Sequence, residues 1–142
     1  MHMNKSTAST SVKKIQRTWH LIDAKGIILG RVAVEIASKL MGKTKPYFVR
    51  SLDCGDFVVV INAKQVAVTG HKEKEKLYTN YSGHPGGLKT KALWQLREET
   101  PTKIIRRAVM GMLPKNKLRN RVITRLYIYA DEKHPYGDKF IK

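Results

Sequence analysis

Hydrophobic positions along the chain change period several times, and each change marks an element. Trp19-His20-Leu21-Ile22 reads as a first strand, closed by the turn residues Asp23-Ala24-Lys25-Gly26. Leu29, Val32, Ala33, Ile36, Ala37, Leu40 and Met41 then recur with the three- and four-residue steps of one helical face. Arg31 and Glu35 lie four apart outside that face, at a spacing that allows an ion pair. Gly42 follows where a left-handed C-cap is wanted. Phe57-Val58-Val59-Val60-Ile61 is an unbroken, mostly β-branched run between Asp56 and Asn62, and predicts a central strand covered on both faces. Strand, helix and buried strand in succession predict a right-handed βαβ unit.

The second half is patterned differently. Gln65 to Thr69 offers a short extended segment and Lys76 to Tyr81 a further strand. Ser82-Gly83-His84-Pro85-Gly86-Gly87 must be a loop, since three glycines and a proline break any regular element. Lys91 to Glu98 predicts a short helix with Leu93, Trp94 and Leu96 as its apolar residues. Thr100 and Pro101 fit an N-cap and a first helical position. Ile104, Ile105, Ala108, Val109, Met112 and Leu113 give a second helical stripe, stopped by Pro114. Lys115 to Arg125 is a basic helical or irregular segment held by Leu118, Val122 and Ile123, and Tyr127-Ile128-Tyr129 is a last strand. The expected organisation is a flexible basic arm over residues 1–17, one domain over 18–134, and a loose tail over 135–142.

Length agrees with that single domain: 142 residues can bury a core without disulfides or metals, and 42% hydrophobic residues exclude a disordered chain. Charge changes the picture. Lys and Arg number 28 against 11 Asp and Glu, a formal net charge of +17. So large an excess opposes compaction and calls for a polyanionic partner, nucleic acid before an anionic membrane surface. The single cysteine, Cys54, excludes an internal disulfide and a cysteine zinc cluster, and reads as a small packed residue in a reducing compartment. The first 17 residues lack the apolar run of a secretory signal, and no stretch has membrane-spanning length.

The charge is also uneven. No acid lies between Glu99 and Asp131, while Lys103, Arg106, Arg107, Lys115, Lys117, Arg119, Arg121 and Arg125 do. With Ile104, Ile105, Ala108 and Val109 on the core face, Lys103, Arg106 and Arg107 turn outward without an acid on their own element, and phosphate is the anion that suits them. A second cluster is Lys43, Lys45 and Arg50. A third runs from His71 through Lys72, Lys74 and Lys76 to Tyr78 and Tyr81, diluted by Glu73 and Glu75. Its tyrosines have two readings, stacking on unpaired bases or packing on the sheet. The loop 83–87 also has two, bare backbone approaching a phosphate or a simple turn, and Lys89 and Lys91 beside it favour the first.

Catalytic patterns do not assemble. Gly42-Lys43-Thr44 matches the end of a phosphate-binding loop, but Ala37 stands where that motif needs glycine, and the stretch ends a helix rather than starting one. Asp53 and Asp56 could hold a metal, but such a pair on one turn is more often a turn former. His20, His71 and His84 have neither triad nor zinc spacing. The remaining enzymatic alternative is an RNA-processing enzyme using His71 or His84, and a further one is a repressor that binds messenger RNA.

Taken in order, several short motifs resemble one family. They are Trp19 with Asp23-Ala24-Lys25-Gly26, Leu29-Gly30-Arg31, Gly42-Lys43-Thr44-Lys45-Pro46, and Asp53-Cys54-Gly55-Asp56 leading into Val58-Val59-Val60-Ile61-Asn62-Ala63. Thr69-Gly70-His71-Lys72, Tyr78, Ser82-Gly83-His84-Pro85-Gly86-Gly87-Leu88-Lys89 and Gly111-Met112-Leu113-Pro114-Lys115-Asn116 complete the set, which spans Trp19 to His134. The chain thereby resembles the family of protein thirteen of the large ribosomal subunit, bacterial or organellar in type. It departs from the family pattern at Met110, where a basic residue is usual, and at Leu118-Arg119-Asn120, where Leu-Gly-Arg is usual. The tail, from His134-Pro135-Tyr136 onward, also departs.

The resemblance implies a three-layer α/β/α fold with a small, mostly parallel sheet, here followed by a basic helical C-terminal segment. It implies a structural role in the large subunit, binding its ribosomal RNA early in assembly beside neighbouring large-subunit proteins. No catalysis, cofactor or metal is expected, nor an obligate homo-oligomer, and the expected location is the cytoplasmic ribosome. The RNA-contacting residues expected are Arg31, Lys43, Lys45, Arg50, Lys72, Lys74, Tyr78, Tyr81, Ser82, His84, Lys89, Arg106, Arg107, Lys115, Asn116, Lys117, Arg119, Arg121 and Arg125.

Overall fold

Strand β2 (Phe57–Ile61) organises the molecule, in a computed structural model that describes residues 10–140. Val58, Val59 and Val60 are fully buried, as a β-branched run between two covered faces should be. β1 (Trp19–Asp23) pairs with β2 on one side and β5 (Leu126–Ile128) on the other, both parallel, giving the order β1-β2-β5. Helix α1 (Leu29–Met41) connects β1 to the region before β2 and buries Leu29, Val32, Ala33, Ile36, Ala37 and Leu40. That is the stripe read from the sequence except for Met41, which is half-buried, and full burial of a side chain such as Ile36 or Leu40 contributes about 1.5–3 kcal/mol. The expected Arg31–Glu35 pair is not the one formed. Glu35 accepts from Lys39 at 2.8 Å, with the acid N-terminal to the base, which is the better four-residue orientation on a helix.

The second half adds a short helix α2 (Lys72–Glu75), a hairpin of β3 (Leu77–Tyr81) with β4 (Leu88–Ala92), and helices α3 (Leu93–Glu99), α4 (Pro101–Met112) and α5 (Arg119–Ile123). Pro101 starts α4, and Ile104, Ile105 and Val109 are buried in the same core as α1 and the inner face of β2. Thr100 occupies the N-cap position but does not act as a cap. Its backbone is far from cap geometry and its hydroxyl is buried without a partner among the described residues. The segment 65–69 makes one parallel bridge, Ile28 to Ala67, beside the start of α1.

The architecture is α/β with a small, mostly parallel sheet and several helices. Helices cover the face carrying Val58 and Val60. The other face carries an aromatic layer. Trp19 stacks on Phe57 with ring centroids 4.5 Å apart, and Tyr136 from the C-terminal segment lies 5.0 Å from Trp19 and 4.7 Å from Tyr127. Phe140 meets the edge of Trp19. The polar segment after Asp131 therefore supplies part of the covering, through aromatic residues that carry no periodicity of their own.

Candidate nucleic-acid interface

The structure sorts the cations into two classes according to which carboxylates they reach. The first class gathers where the chain enters β2. Gly42 closes α1 in the left-handed conformation, with φ 75°, and a Cβ there would lie 2.5 Å from the Cys54 carbonyl oxygen. A Cβ on Gly55 would lie 1.6 Å from the Leu40 carbonyl oxygen. Only glycine at both positions lets residues 53–56 run against the end of α1. Their two carboxylates then face inward.

Asp53 receives both ends of the Arg125 guanidinium at 2.5 Å, and Arg125 also reaches the Leu40 and Asp56 carbonyl oxygens. Arg17 adds hydrogen bonds to the Gly55 and Asp53 carbonyls and lies 3.6 Å from the Asp53 carboxylate. Asp56 accepts from Lys45 at 2.5 Å, from the Thr18 N–H at 3.0 Å, and is bonded to the His20 ring at 3.0 Å. Lys45 also donates to the Cys54 and Gln16 carbonyls. Burial alone would raise both carboxyls. Fork-like hydrogen bonds and charge from Arg125 hold Asp53 below its ordinary value, and bonds from Lys45, Thr18 and His20 do the same for Asp56.

Two residues expected to contact RNA are engaged inside the fold by this arrangement. Arg125 is 8% exposed and spends its guanidinium on Asp53, and the Lys45 side chain is 12% exposed and spends its charge on Asp56. Sequence distance hid the partner of Arg125, because the acid-free stretch around it has its acid in Asp53, 72 residues away. The same partners account for Asp53 and Asp56 without a metal, and the described residues contain no group of three or more potential metal ligands. Residues 10–17, the described part of the expected basic arm, also make contacts: Thr10 donates to the Tyr47 carbonyl, and Gln16 and Arg17 are bonded as above. The rest of that arm, residues 1–9, lies outside the described residues.

The second class stays at the surface. Arg31, Lys43, Arg50, Lys72, Lys74, Lys89, Arg106, Arg107, Lys115, Lys117 and Arg121 are exposed, and none is in an ion pair among the described residues. Part of this set converges. The end of α1, residues 48–53 and the connection from α4 to α5 border a half-open cavity of about 380 Å³ lined by Lys43, Arg50, Asn116 and Arg119, with Met112 among its apolar walls. Met112 also lines a second cavity, of about 250 Å³, beside Lys72 and Lys76. The three basic clusters of the sequence thus approach one another around the C-terminal end of α4. Arg119 is half-buried, its backbone N–H bonded to the Asn116 side chain and its Nη2 donating to the Met110 carbonyl at 2.7 Å. Arg121 lines a separate open groove with Arg17 and Asn120.

The hairpin carries the remaining candidates. Tyr81, Ser82 and His84 are exposed near its tip. Tyr78 is half-buried between Lys76 and Arg107, whose charged groups lie 5.4 and 5.2 Å from its ring centre. Burial pushes its phenol pKa up despite the nearby Arg107 and Arg97. Of the two readings of the tyrosines, packing fits Tyr78, while Tyr81 keeps a free face. Arg97 was not among the expected site residues and is structural: it forks onto Glu73 and donates to the Lys64 and Val66 carbonyls. Lys91, beside the glycine loop, is bonded to Glu99. His20 is engaged by Asp56, while His71 and His84 stand exposed on different segments.

Residues 17–135 match the family model described as Ribosomal protein L13. This chain belongs to that family. It is 49% identical over 132 residues to the large ribosomal subunit protein uL13 of Solibacter usitatus, covering 93% of this chain and 92% of the relative. It is 46% identical over 134 residues to the protein of the same name in Dehalococcoides mccartyi, covering 94% of each, and 44% identical over 132 residues to that of Rhodococcus jostii, covering 93% and 90%. The L13 family is a structural constituent of the large ribosomal subunit, not a family of enzymes. Among the described residues, no helix of this L13-family chain is long and apolar enough to cross a membrane.

Proposed function

We propose that this chain is a structural protein of the cytoplasmic large ribosomal subunit that binds ribosomal RNA through its exposed cations and helps organise it during assembly. One observation carries the reading. The carboxylates at the entrance to β2 are consumed inside the fold, whereas Lys103, Arg106, Arg107, Lys115, Lys117 and Arg121 remain exposed with no acid in their own stretch of chain. Phosphates drawn together by such a surface lose their mutual repulsion, so RNA segments can be held side by side. Arg31, Lys43, Arg50, Lys72, Lys74, Lys89, Arg106, Arg107, Lys115, Lys117, Arg119 and Arg121 supply charge. Ser82, His84 and Asn116 offer hydrogen bonds, and Tyr81 offers a ring on which a base can stack. Contacts of this kind read RNA shape and position more than sequence. Neighbouring large-subunit proteins are the expected protein partners.

The test is twofold. Sedimentation of cell extract should place the protein with the large subunit. Affinity for a bacterial large-subunit ribosomal RNA transcript should fall steeply with salt, by about 0.7–0.9 units of log–log slope for each phosphate contacted. Affinity nearly independent of salt would overturn the electrostatic reading.

A further inference from the structure

The 380 Å³ cavity at the end of α4 is built unlike a plain phosphate-binding patch. Phe48, Leu118 and Met112 give it apolar walls, and Lys43, Arg50 and Arg119 also line it. Its only acid, Asp53, is held ionised by the Arg125 fork and has no free charge to offer the three cations. Arg119 is fixed by its bond to the Met110 carbonyl, yet its Nε is buried without a hydrogen-bond partner among the described residues. Its charge, unlike that of Arg125, meets no carboxylate in an ion pair among the described residues.

The volume falls at the lower end of the roughly 300–1,000 Å³ of pockets that take small organic groups. An apolar wall beside donors and cations is also the chemistry by which proteins take up an unstacked base, with the ring on apolar or aromatic side chains and the edge hydrogen-bonded. An apolar side chain from a neighbouring protein would suit the walls. It would set three cations against no negative charge.

We infer that this cavity receives one unpaired nucleotide of the bound RNA, its base against Phe48 and Leu118, acceptor atoms of the nucleotide on the Arg119 guanidinium, and adjoining phosphates on Lys43 and Arg50. The inference rests on the proposed RNA-binding role and adds to it: one nucleotide is held by insertion, whereas the surrounding lysines and arginines hold backbone. Nothing in the pattern of the helical stripes announces this, because the walls come from three separate segments.

The test uses the full-length protein on a bacterial large-subunit ribosomal RNA transcript. Ultraviolet crosslinking followed by mass spectrometry should find a mononucleotide adduct on the peptide that carries Phe48. Met112→Trp, which fills the cavity from a partly exposed position, should abolish that adduct and weaken binding about tenfold. The salt slope should stay unchanged, since the phosphate contacts remain. The unfolding midpoint of the variant checks that α4 is intact. Arg119→Gln, which keeps a polar side chain but removes the guanidinium charge, should weaken binding by a similar factor without filling the space. Binding with a normal salt slope, no adduct and no effect of either variant would overturn the inference and leave the RNA-binding role standing. Loss of a protein neighbour from reconstituted subunits carrying Met112→Trp, with RNA affinity unchanged, would assign the cavity to a protein side chain and overturn it equally. If the wild-type protein does not bind the transcript at all, both readings fall.

Discussion

The approach to β2 and the stretch from α4 to α5 are both strongly basic, and the fold treats them in opposite ways. At β2, Arg125 and Lys45 are drawn inward onto Asp53 and Asp56, where they tie together the end of α1, the start of β1 and the entrance to β5. From Lys103 to Arg121 the cations point to solvent with no acid among them, apart from the half-buried Arg119. In the first region, burial costs the ions their hydration, and short fork-like contacts offset that cost. In the second, hydration is kept and mutual repulsion is the cost, until an anionic partner removes it. A net charge of +17 therefore mixes two kinds of cation, one that holds the fold and one left over for binding.

Substitution at Arg125 should give the largest effect. Arg125→Ala leaves Asp53 in a poorly hydrated place with only a long bond from the Gly55 N–H and the distant edge of Arg17, and breaking a buried pair in this way typically costs about 3–5 kcal/mol. Urea unfolding measures the loss. Acid should act on the same network. Asp53 and Asp56 both have folded pKa values below their ordinary value, so their contribution to stability is fully present above about pH 4, the unfolded carboxylate range. It is lost as pH falls through the lowered folded values. The wild-type unfolding midpoint should drop on acidification below pH 4, and the drop should be smaller in Asp53→Asn. An equal drop in both proteins would place the acid sensitivity elsewhere.

Val109→Ala comes next, at roughly 1–3 kcal/mol from a fully buried site where α4 meets the core. Its effect on RNA affinity should follow only from loss of folded protein, which a binding curve corrected for the unfolded fraction will reveal. Val109 is also the kind of residue the sequence makes plain. The stripes of α1 and α4, the β-branched run of β2, the Gly42 cap and the exit at Pro114 are all written in local periodicity or in residues with one conformational role. Partnerships across the chain are not. Nothing near Arg125 names Asp53, and nothing near Tyr136 names Trp19, because a local pattern encodes which face a side chain takes and not what meets it there. The tyrosines of the third cluster are ambiguous in sequence for the same reason, since nothing near Tyr78 names Arg107, which lies against its ring.

Lys115→Ala combined with Lys117→Ala should do the reverse of Arg125→Ala. Both lysines are exposed just beyond Pro114, on a chain held by the buried Leu113 on one side and by Val122 on the other. Stability should change by less than about 0.5 kcal/mol, as for most surface positions. RNA affinity should fall, and the salt slope should shrink by about one unit for each lysine that touches a phosphate. An unchanged slope would mark this segment as a helix stop with solvated charges. A large loss of stability would erase the distinction between the two classes of cation.

Arg17 lies on the boundary between the classes, and its substitution should have the smallest effect on stability of those that touch the network. Its guanidinium is 3.6 Å from the Asp53 carboxylate, with side chains 33% and 15% exposed. A pair that open to water contributes about 0–1 kcal/mol. The hydrogen bonds to the Gly55 and Asp53 carbonyls, at 2.9 and 3.3 Å, add a modest amount, because water replaces them easily at a partly exposed site. Arg17→Ala is therefore expected to cost about 1 kcal/mol in urea unfolding, well short of Arg125→Ala, since Asp53 keeps its fork to Arg125. Its effect on RNA binding separates the two roles: Arg17 also lines the open groove that holds Arg121, and a reduced salt slope in Arg17→Ala would show that this one side chain spans both. A loss of stability as large as that of Arg125→Ala would mean that Asp53 depends on both arginines together, and that the docked end of the N-terminal arm is part of the folded core.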